Sequence, residues 1–165
     1  MAIIDGIIAE LDQEAAATRR VLERVPEDKL TWKPHPKSMS LGQLALHIAT
    51  CNGAIANIAS QDTFEMMAFQ QPEAKTKAEI LDAFDKGLAQ AKQLLTSVDD
   101  ARAMAAWSMT KQGSPIFSLP RIGMYRAIMC NHQYHHRGQL TVYLRLLDVA
   151  LPSVYGPSAD ENPFG

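Results

Sequence analysis

The chain has few cysteines, and the two that it has, Cys51 and Cys130, lie far apart in the sequence. They form no CxxC pair, and two distant cysteines do not make a disulfide framework. Such sparse use of cysteine suits a reducing compartment. We therefore expect a cytoplasmic protein.

Long apolar runs and an excess of charge of one sign are also absent. No segment approaches the roughly twenty apolar residues that a transmembrane helix needs, and the N-terminus lacks the basic region and cleavage pattern of a signal peptide. The formal net charge is only -2, which gives no reason to expect nucleic acid or an anionic membrane as a partner. We expect neither.

The bulk composition is that of an ordinary globular domain. The chain has 165 residues, of which 47% are hydrophobic and 21% are charged. This length and balance can form one complete hydrophobic core. We expect a single domain over residues 1–165.

Two amphipathic helices are predicted in the first 60 residues, because apolar residues recur there at spacings of three and four. The first helix ends before Pro26, which cannot continue it, and its apolar stripe is Ile4, Ile8, Leu11, Ala15, Thr18 and Leu22. The second helix begins near Ser38 or Ser40, which are both good N-cap residues. Its stripe is Leu44, His47, Cys51, Ile55 and Ile58.

Two further helices are predicted in the second half of the chain. The third opens with a capping box from Thr76 to Glu79, and its stripe is Ile80, Phe84, Leu88, Ala91 and Leu95. The fourth begins around Pro120, a favoured first-turn residue, and runs to about Asp148. Its stripe is Ile122, Tyr125, Met129, His132, His136, Leu140, Tyr143 and Leu147.

The segments between the helices give almost no strand signal. A short extended piece is predicted around Trp107 to Thr110, inside the loop from Ala105 to Leu119, and no other segment shows the alternation of a strand. The sequence therefore predicts an all-α four-helix bundle.

Histidines cluster in the fourth predicted helix. Three of the five histidines, His132, His135 and His136, lie within five residues. The i, i+4 spacing places His132 and His136 on one helical face, within the apolar stripe, while His135 lies on its flank. His47 points inward from the second helix. If the second and fourth helices touch, three imidazoles can meet inside the bundle.

Three neutral imidazoles suit a divalent transition metal and leave a coordination position open. Such a metal can activate a coordinated water or thiol. Residue 133 is glutamine, so the general base of an H-E-x-x-H protease is missing. His132 with His135 is an alternative ligand pair. Cys51, one turn after His47, is either a fourth ligand or a buried inert thiol.

Other side chains near the predicted ligands are candidates for contact with a substrate or a ligand ring. Core packing, helix-surface positions and surface ion pairs are the alternatives for them. The candidates are Trp32, Gln43, Trp107, Tyr125, Arg137, Gln139, Tyr143 and Arg145.

Three stretches of the chain resemble the DinB/YfiT-like superfamily of bacterial four-helix proteins. They are WKPHPKSMSLGQL at 32–44 followed by His47, HQYHHRGQLTVYLR at 132–145, and PSVYG at 152–156. The resemblance implies an up-down-down-up bundle, often a homodimer, and a divalent metal, frequently nickel or zinc. Carried over residue by residue, its three histidine ligands fall on His47, His132 and His136.

The resemblance also suggests a reaction. Some members are transferases or isomerases that depend on a low-molecular-weight thiol such as mycothiol, bacillithiol or glutathione, and the step from fold to reaction is analogy. We expect a metal-dependent enzyme that activates such a thiol, or water, for attack on a small electrophile, as an S-transferase or hydrolase. The alternatives are a non-catalytic stress or ligand-binding protein that a metal stabilises, and a metal-free helical scaffold.

Overall fold

The computed structural model describes residues 2–68 and 70–164 of the chain. Helices dominate it, and their bounds are α1 Ile3–Glu23, α2 Leu41–Ser60, α3 Lys77–Thr96, α4 Asp100–Met104, α5 Arg121–Gly123 and α6 Asn131–Leu146. A 3₁₀ turn follows α1 at Glu27–Lys29, and a π-helical segment at Met124–Cys130 joins α5 to α6. No helix in these residues has the length and apolar character that a membrane crossing requires.

Local capping determines where the second and third helices begin. Ser40, one of the two predicted caps, accepts a hydrogen bond from the Gln43 amide, and the Gln43 side chain accepts one from the Ser40 amide. This reciprocal pair satisfies two backbone donors at the start of α2. Thr76 caps α3 by accepting from the Glu79 amide. The Glu79 carboxylate accepts from the Lys75 amide instead of completing the box.

The last helical run departs from regular α geometry where sequence periodicity did not predict it. It begins after Pro120 and ends at Leu146, close to the predicted limits. Between these ends, Met124–Cys130 is π-helical, with i→i+5 hydrogen bonds. The wider turn shifts the inward face, so that Cys130, Gln133 and Arg137 are buried although none of them belongs to the predicted stripe.

The expectation of an all-α four-helix bundle is wrong, because the chain also forms a three-stranded mixed sheet. Its strands are β1 Thr63–Glu65, β2 Ala106–Lys111 and β3 Ser114–Pro120. β2 pairs with β1 in parallel and with β3 in antiparallel. The extended piece predicted around Trp107 is the middle of β2. Its two neighbours lack an alternating pattern and gain their structure from pairing with β2.

A buried arginine connects the sheet to the helices. Arg121, at the start of α5, donates to the backbone carbonyl of Ala59 at 2.6 Å and to that of Arg102 at 2.8 Å. These carbonyls lie at the ends of α2 and α4, where helical backbones have acceptors without intrahelical partners. The guanidinium also pairs with Asp62 at 2.8 Å, just before β1. The end of α2 and the beginning of β1 are thereby held against α5.

The core consists of two hydrophobic clusters, and α2 contributes to both. Leu44 and Ile48 belong to the first, together with residues of α1, α3 and α6. Ala56 and Ala59 belong to the second, which surrounds Trp107 and includes side chains of the π-helical segment. On α2, His47 lies among the residues of the first cluster, and Cys51 lies between the two groups.

Candidate metal centre

Three histidines from two helices converge in the structure. His47 lies on α2, and His132 and His136 lie on α6, immediately after the π-helical segment. The Nε2 atom of His132 is 2.9 Å from Nε2 of His47 and 3.1 Å from Nε2 of His136. One ring nitrogen from each of the three residues lies within 4.8 Å of the others. The sequence-based expectation that these imidazoles meet is confirmed.

The surroundings of the triad favour neutral imidazoles. Burial lowers the pKa of His47 to about 4, with a further contribution from the neighbouring His136 and His132 rings. Burial also lowers the pKa values of His132 and His136. At neutral pH each ring therefore retains a nitrogen lone pair, the form in which histidine binds metals.

A glutamine side chain orients one of the rings, and a second glutamine lies close to another. The Oε1 atom of Gln139 is 2.7 Å from Nδ1 of His136. An amide oxygen only accepts, so Nδ1 carries the proton and the lone pair of His136 is on Nε2, which faces His132. The Gln71 side chain, which lies close to His47, opposes the lowering of its pKa. Such partners typically fix the orientation of ligand rings.

Gln71 was not predicted from the sequence. It lies in the segment between β1 and α3, and it exchanges two hydrogen bonds with Gln43: each side-chain amide donates to the other residue's backbone carbonyl, at 3.2 and 3.3 Å. This pairing brings a loop residue to the triad. Local sequence gives no signal for it, because the two residues are 28 positions apart. Gln43, which was predicted to lie near the ligands, hydrogen-bonds to this loop.

The arrangement of ring nitrogens fits a metal ion. His132 Nε2 faces two other Nε2 atoms at hydrogen-bond distance, and one proton cannot fully satisfy both contacts. A tetrahedral zinc ion with Zn–N distances near 2.0–2.1 Å separates its ligand nitrogens by about 3.3 Å. The observed spacings are close to this value. A small outward movement of the rings would make a three-nitrogen site.

The other predicted ligand candidates lie outside the triad. His135 is exposed, and its ring packs edge-on against His136 with centroids 5.1 Å apart. Cys51 is buried, and its thiol faces the Met129 carbonyl oxygen at a sulfur–oxygen distance of 4.0 Å. Burial raises the pKa of Cys51 to about 12. In this geometry Cys51 is an inert buried thiol.

Most of the aromatic candidates pack in the core. The Trp32 and Tyr143 rings meet edge-to-face, with centroids 5.8 Å apart. Trp107 is fully buried and donates from Nε1 to the Ile58 carbonyl at 3.2 Å. Tyr125 is also buried, in the second cluster. None of these four rings lines the cavity that lies beside the triad.

A cavity of about 290 Å³ lies beside the triad, and His47 and His132 form part of its wall. It leaves room for a ligand next to the ring nitrogens. Gln133, which lies between the two ligand candidates of α6, faces the other way: its side chain donates to the Ile48 carbonyl and accepts from Asn52, each at 3.2 Å. Gln133 therefore holds α6 to α2 and leaves the cavity free.

Comparison with known families identifies the class of protein. The family model of the DinB superfamily matches residues 10–140. The chain belongs to the DinB superfamily. Two similar proteins from Bacillus subtilis strain 168 are YrdA, 26% identical over 96% of this chain and 91% of its own length, and YjoA, 24% identical over 84% of this chain and 87% of its own length.

Solved structures of DinB-like proteins share the fold. A protein from Bacillus cereus superposes with a TM-score of 0.75 at 23% identity, covering 93% of this chain and 98% of its own. YjoA superposes with a TM-score of 0.68 at 18% identity, covering 90% of this chain and 97% of its own. This chain therefore shares the DinB-like fold over most of its length.

Proposed function

We propose that this DinB superfamily protein is a metal-dependent enzyme in which His47, His132 and His136 bind one divalent ion, zinc or nickel. The observation that carries the proposal is the convergence of three neutral imidazoles, with ligand atoms within 4.8 Å of one another, beside an open cavity. Three protein ligands and a free position are typical of catalytic sites, whereas structural sites are closed by four.

The protein residues have distinct tasks in this proposal. His47 would bind the ion from α2, and His132 and His136 would bind it from α6. Gln139 keeps the proton of His136 on Nδ1, which leaves Nε2 free to bind. A divalent ion supplies Lewis acidity, which lowers the pKa of a coordinated water or thiol. The cavity beside His47 and His132 admits a small electrophile to the open side.

The reaction we propose is attack of a low-molecular-weight thiol, or of water, on that electrophile, in an S-transferase or hydrolase. Among the described residues that line the cavity there is no charged nucleophile, since burial raises the pKa of the adjacent Cys51 thiol to about 12. A nucleophile brought in with the substrate is consistent with this arrangement. The competing function is a ligand-binding or stress protein in which the metal serves stability.

The decisive measurement is the metal content of protein purified without an affinity tag or a nickel column. We expect about one divalent ion per chain in the wild type, and loss of the ion in His47→Ala and in His136→Ala. His135→Ala is the matched control, because His135 is an exposed neighbour on the same helix and should keep the ion. Full retention in both triad variants would refute the ligand set.

Activity assays then separate the two functions. Bacillithiol, glutathione and mycothiol are tested with a panel of small electrophiles, and simple esters and amides are tested for hydrolysis, before and after chelation. Turnover that disappears on chelation and returns with added metal supports the enzyme. A bound ion without turnover on any panel, together with a lower unfolding midpoint after chelation, supports the stability function.

Three further properties belong to the proposal. Both cysteines are free thiols, which suits a cytoplasmic protein. Helix α2 contributes to both hydrophobic clusters, which supports a single domain over the chain. A homodimer is a common assembly among proteins that this chain resembles, and light scattering of the purified protein tests it: twice the 18.2 kDa chain mass is the expected result.

A further inference from the structure

The cavity beside the histidine triad has a wall that is mostly hydrocarbon. α2 contributes Ala54, Ile55 and Ile58 to it, and the chain that follows contributes Phe64 from β1 and Met67 just beyond β1. His47 and His132 lie in the same wall. The cavity therefore combines an apolar interior with two ring nitrogens at one side, the composition that small-molecule sites usually have.

No acidic or basic side chain other than these imidazoles lines the cavity among the described residues. The hydroxyl of Thr50, which is also in the wall, donates to the Leu46 carbonyl at 2.9 Å and is already engaged. Away from the two imidazoles, a charged group would lose its hydration without gaining a partner, which is costly, whereas an apolar group loses nothing of that kind. The wall thus selects against charge.

We propose that this cavity binds the uncharged, apolar body of the substrate and directs its reactive group toward His47 and His132. The direction of the reactive group rests on the function proposed above, whereas the polarity of the ligand follows from the cavity alone. At about 290 Å³ the cavity is at the lower end of the range for ligand sites, which limits the substrate to a small molecule.

The two sides of the cavity differ in rigidity, and this difference affects specificity. Phe64 is fixed in β1, where it pairs with Met109 of β2, and Ile55 and Ile58 are fixed on α2. Met67 is 72% exposed, and its unbranched thioether side chain can adapt its shape to a ligand. We therefore expect discrimination by polarity to exceed discrimination by shape.

Binding of N-phenyl-1-naphthylamine, an uncharged dye that fluoresces in apolar surroundings, tests the inference on the full-length protein with its bound metal. We expect saturable binding of the dye. Displacement should improve about fourfold for each added methylene from 1-butanol to 1-hexanol. Hexylammonium should displace the dye at least about tenfold less well than 1-hexanol. The same preference should persist after chelation, because it originates in the wall.

Two matched variants locate the binding. Ala54→Phe fills the cavity from an exposed position of α2 and should weaken dye binding by about tenfold or more. Ala78→Phe makes the same change at an exposed position of α3 away from the cavity and should leave dye binding unchanged. Metal content and the unfolding midpoint, measured for both variants, show that the protein remains folded and loaded.

The results separate this inference from the proposed function. Full metal content without dye binding, equal dye binding by both variants, or equal displacement by hexylammonium and 1-hexanol would each overturn the apolar cavity and leave the metal centre standing. Absence of bound metal with dye binding that Ala54→Phe abolishes would contradict the proposed metal centre and support the apolar cavity.

Discussion

Arg137 and Glu14 form a buried ion pair that joins α6 to α1, one residue after the candidate ligand His136. The guanidinium nitrogen lies 2.7 Å from the Glu14 carboxylate, and the two side chains are 2% and 10% exposed. Arg137 also donates to the Thr18 hydroxyl at 2.9 Å and to the hydroxyl of Tyr155. From the sequence, Arg137 was a candidate for contact with a substrate or for a surface ion pair. In the structure it instead forms an ion pair in the interior.

Removing one partner of this ion pair should strongly destabilise the protein. Arg137→Met leaves Glu14 buried without its counter-charge, and we expect the free energy of unfolding in urea to fall by about 3–5 kcal/mol. The double variant Glu14→Met/Arg137→Met removes both charges and should recover a large part of that loss.

The exposed pair of Lys86 and Asp82, at 2.7 Å on α3, supplies the control for this cycle. Lys86→Met should change the unfolding free energy very little, since exposed pairs on helices contribute little. A double variant less stable than Arg137→Met alone would contradict the buried-charge account.

The hydrogen bond from His136 to Gln139 should contribute to metal affinity without Gln139 contacting the ion. Gln139→Leu removes the acceptor at 2.7 Å and frees the ring to rotate or change tautomer, so we expect metal affinity to fall about 10- to 100-fold. A competition titration with a chromogenic chelator measures it. Gln93→Leu, an exposed glutamine of α3, should have no effect. Equal affinity in the two variants would show that Gln139 does not orient His136.

The crossing of α2 and α3 should depend on two glycines. A Cβ added to Gly53 would lie 2.9 Å from the Cα of Gly87 and 3.0 Å from its carbonyl oxygen. Backbone atoms cannot move aside as flexible side chains do, so Gly53→Ala should lower the free energy of unfolding by about 1–3 kcal/mol.

Gly6 of α1 is the matched control, because nothing lies within 4 Å of the position of its Cβ. Gly6→Ala should stabilise the protein by about 0.5–1 kcal/mol through its higher helix propensity. Stabilisation by both substitutions would show that α2 and α3 lie further apart at Gly53 and Gly87 than the contacts above require.

The cysteines should react slowly in the folded protein. Burial raises the pKa of Cys51 to about 12 and also raises the pKa of Cys130, and only the thiolate reacts with disulfide reagents. With a Cys130→Ala variant, the reaction of Cys51 with Ellman's reagent should be much slower at pH 8 than in guanidinium. Its rate should rise about tenfold per pH unit as the thiolate fraction grows. Equal rates in both solvents would contradict the buried thiol.

Much of the helical structure was predictable because its signals are local. Ser40 and Thr76 cap α2 and α3 through hydrogen bonds to residues three positions later, and Pro120 precedes the last helical run. The i, i+4 spacing of His132 and His136 likewise follows from the helical repeat alone. The π-helical segment was missed, because its i→i+5 bonds leave no periodic pattern in the sequence.

The sheet was missed for a different reason. β1 pairs with β2 across 45 positions of sequence, from Thr63 to Ser108, and β3 pairs with β2 although its own residues do not alternate. Strand preference depends on the neighbouring strand and on burial more than on the strand's own residues. The local sequence pattern therefore predicted only an extended piece within β2, which contains the buried Trp107, and the two partner strands were expected to be loops.

The amino-acid sequence by itself determined that the chain is mainly helical, that histidines are its candidate metal ligands, and that His132 and His136 share one helical face. Tertiary structure decided that His47 meets them across 85 positions and that Gln139 orients the His136 ring while Gln71 approaches His47. It also decided that Glu14 pairs with Arg137 and that an apolar cavity lies beside the triad. The physical reason is the separation in sequence between the residues that interact. Helix caps and helical faces depend on hydrogen bonds within about four residues, whereas the site depends on packing between segments that only the complete fold brings together.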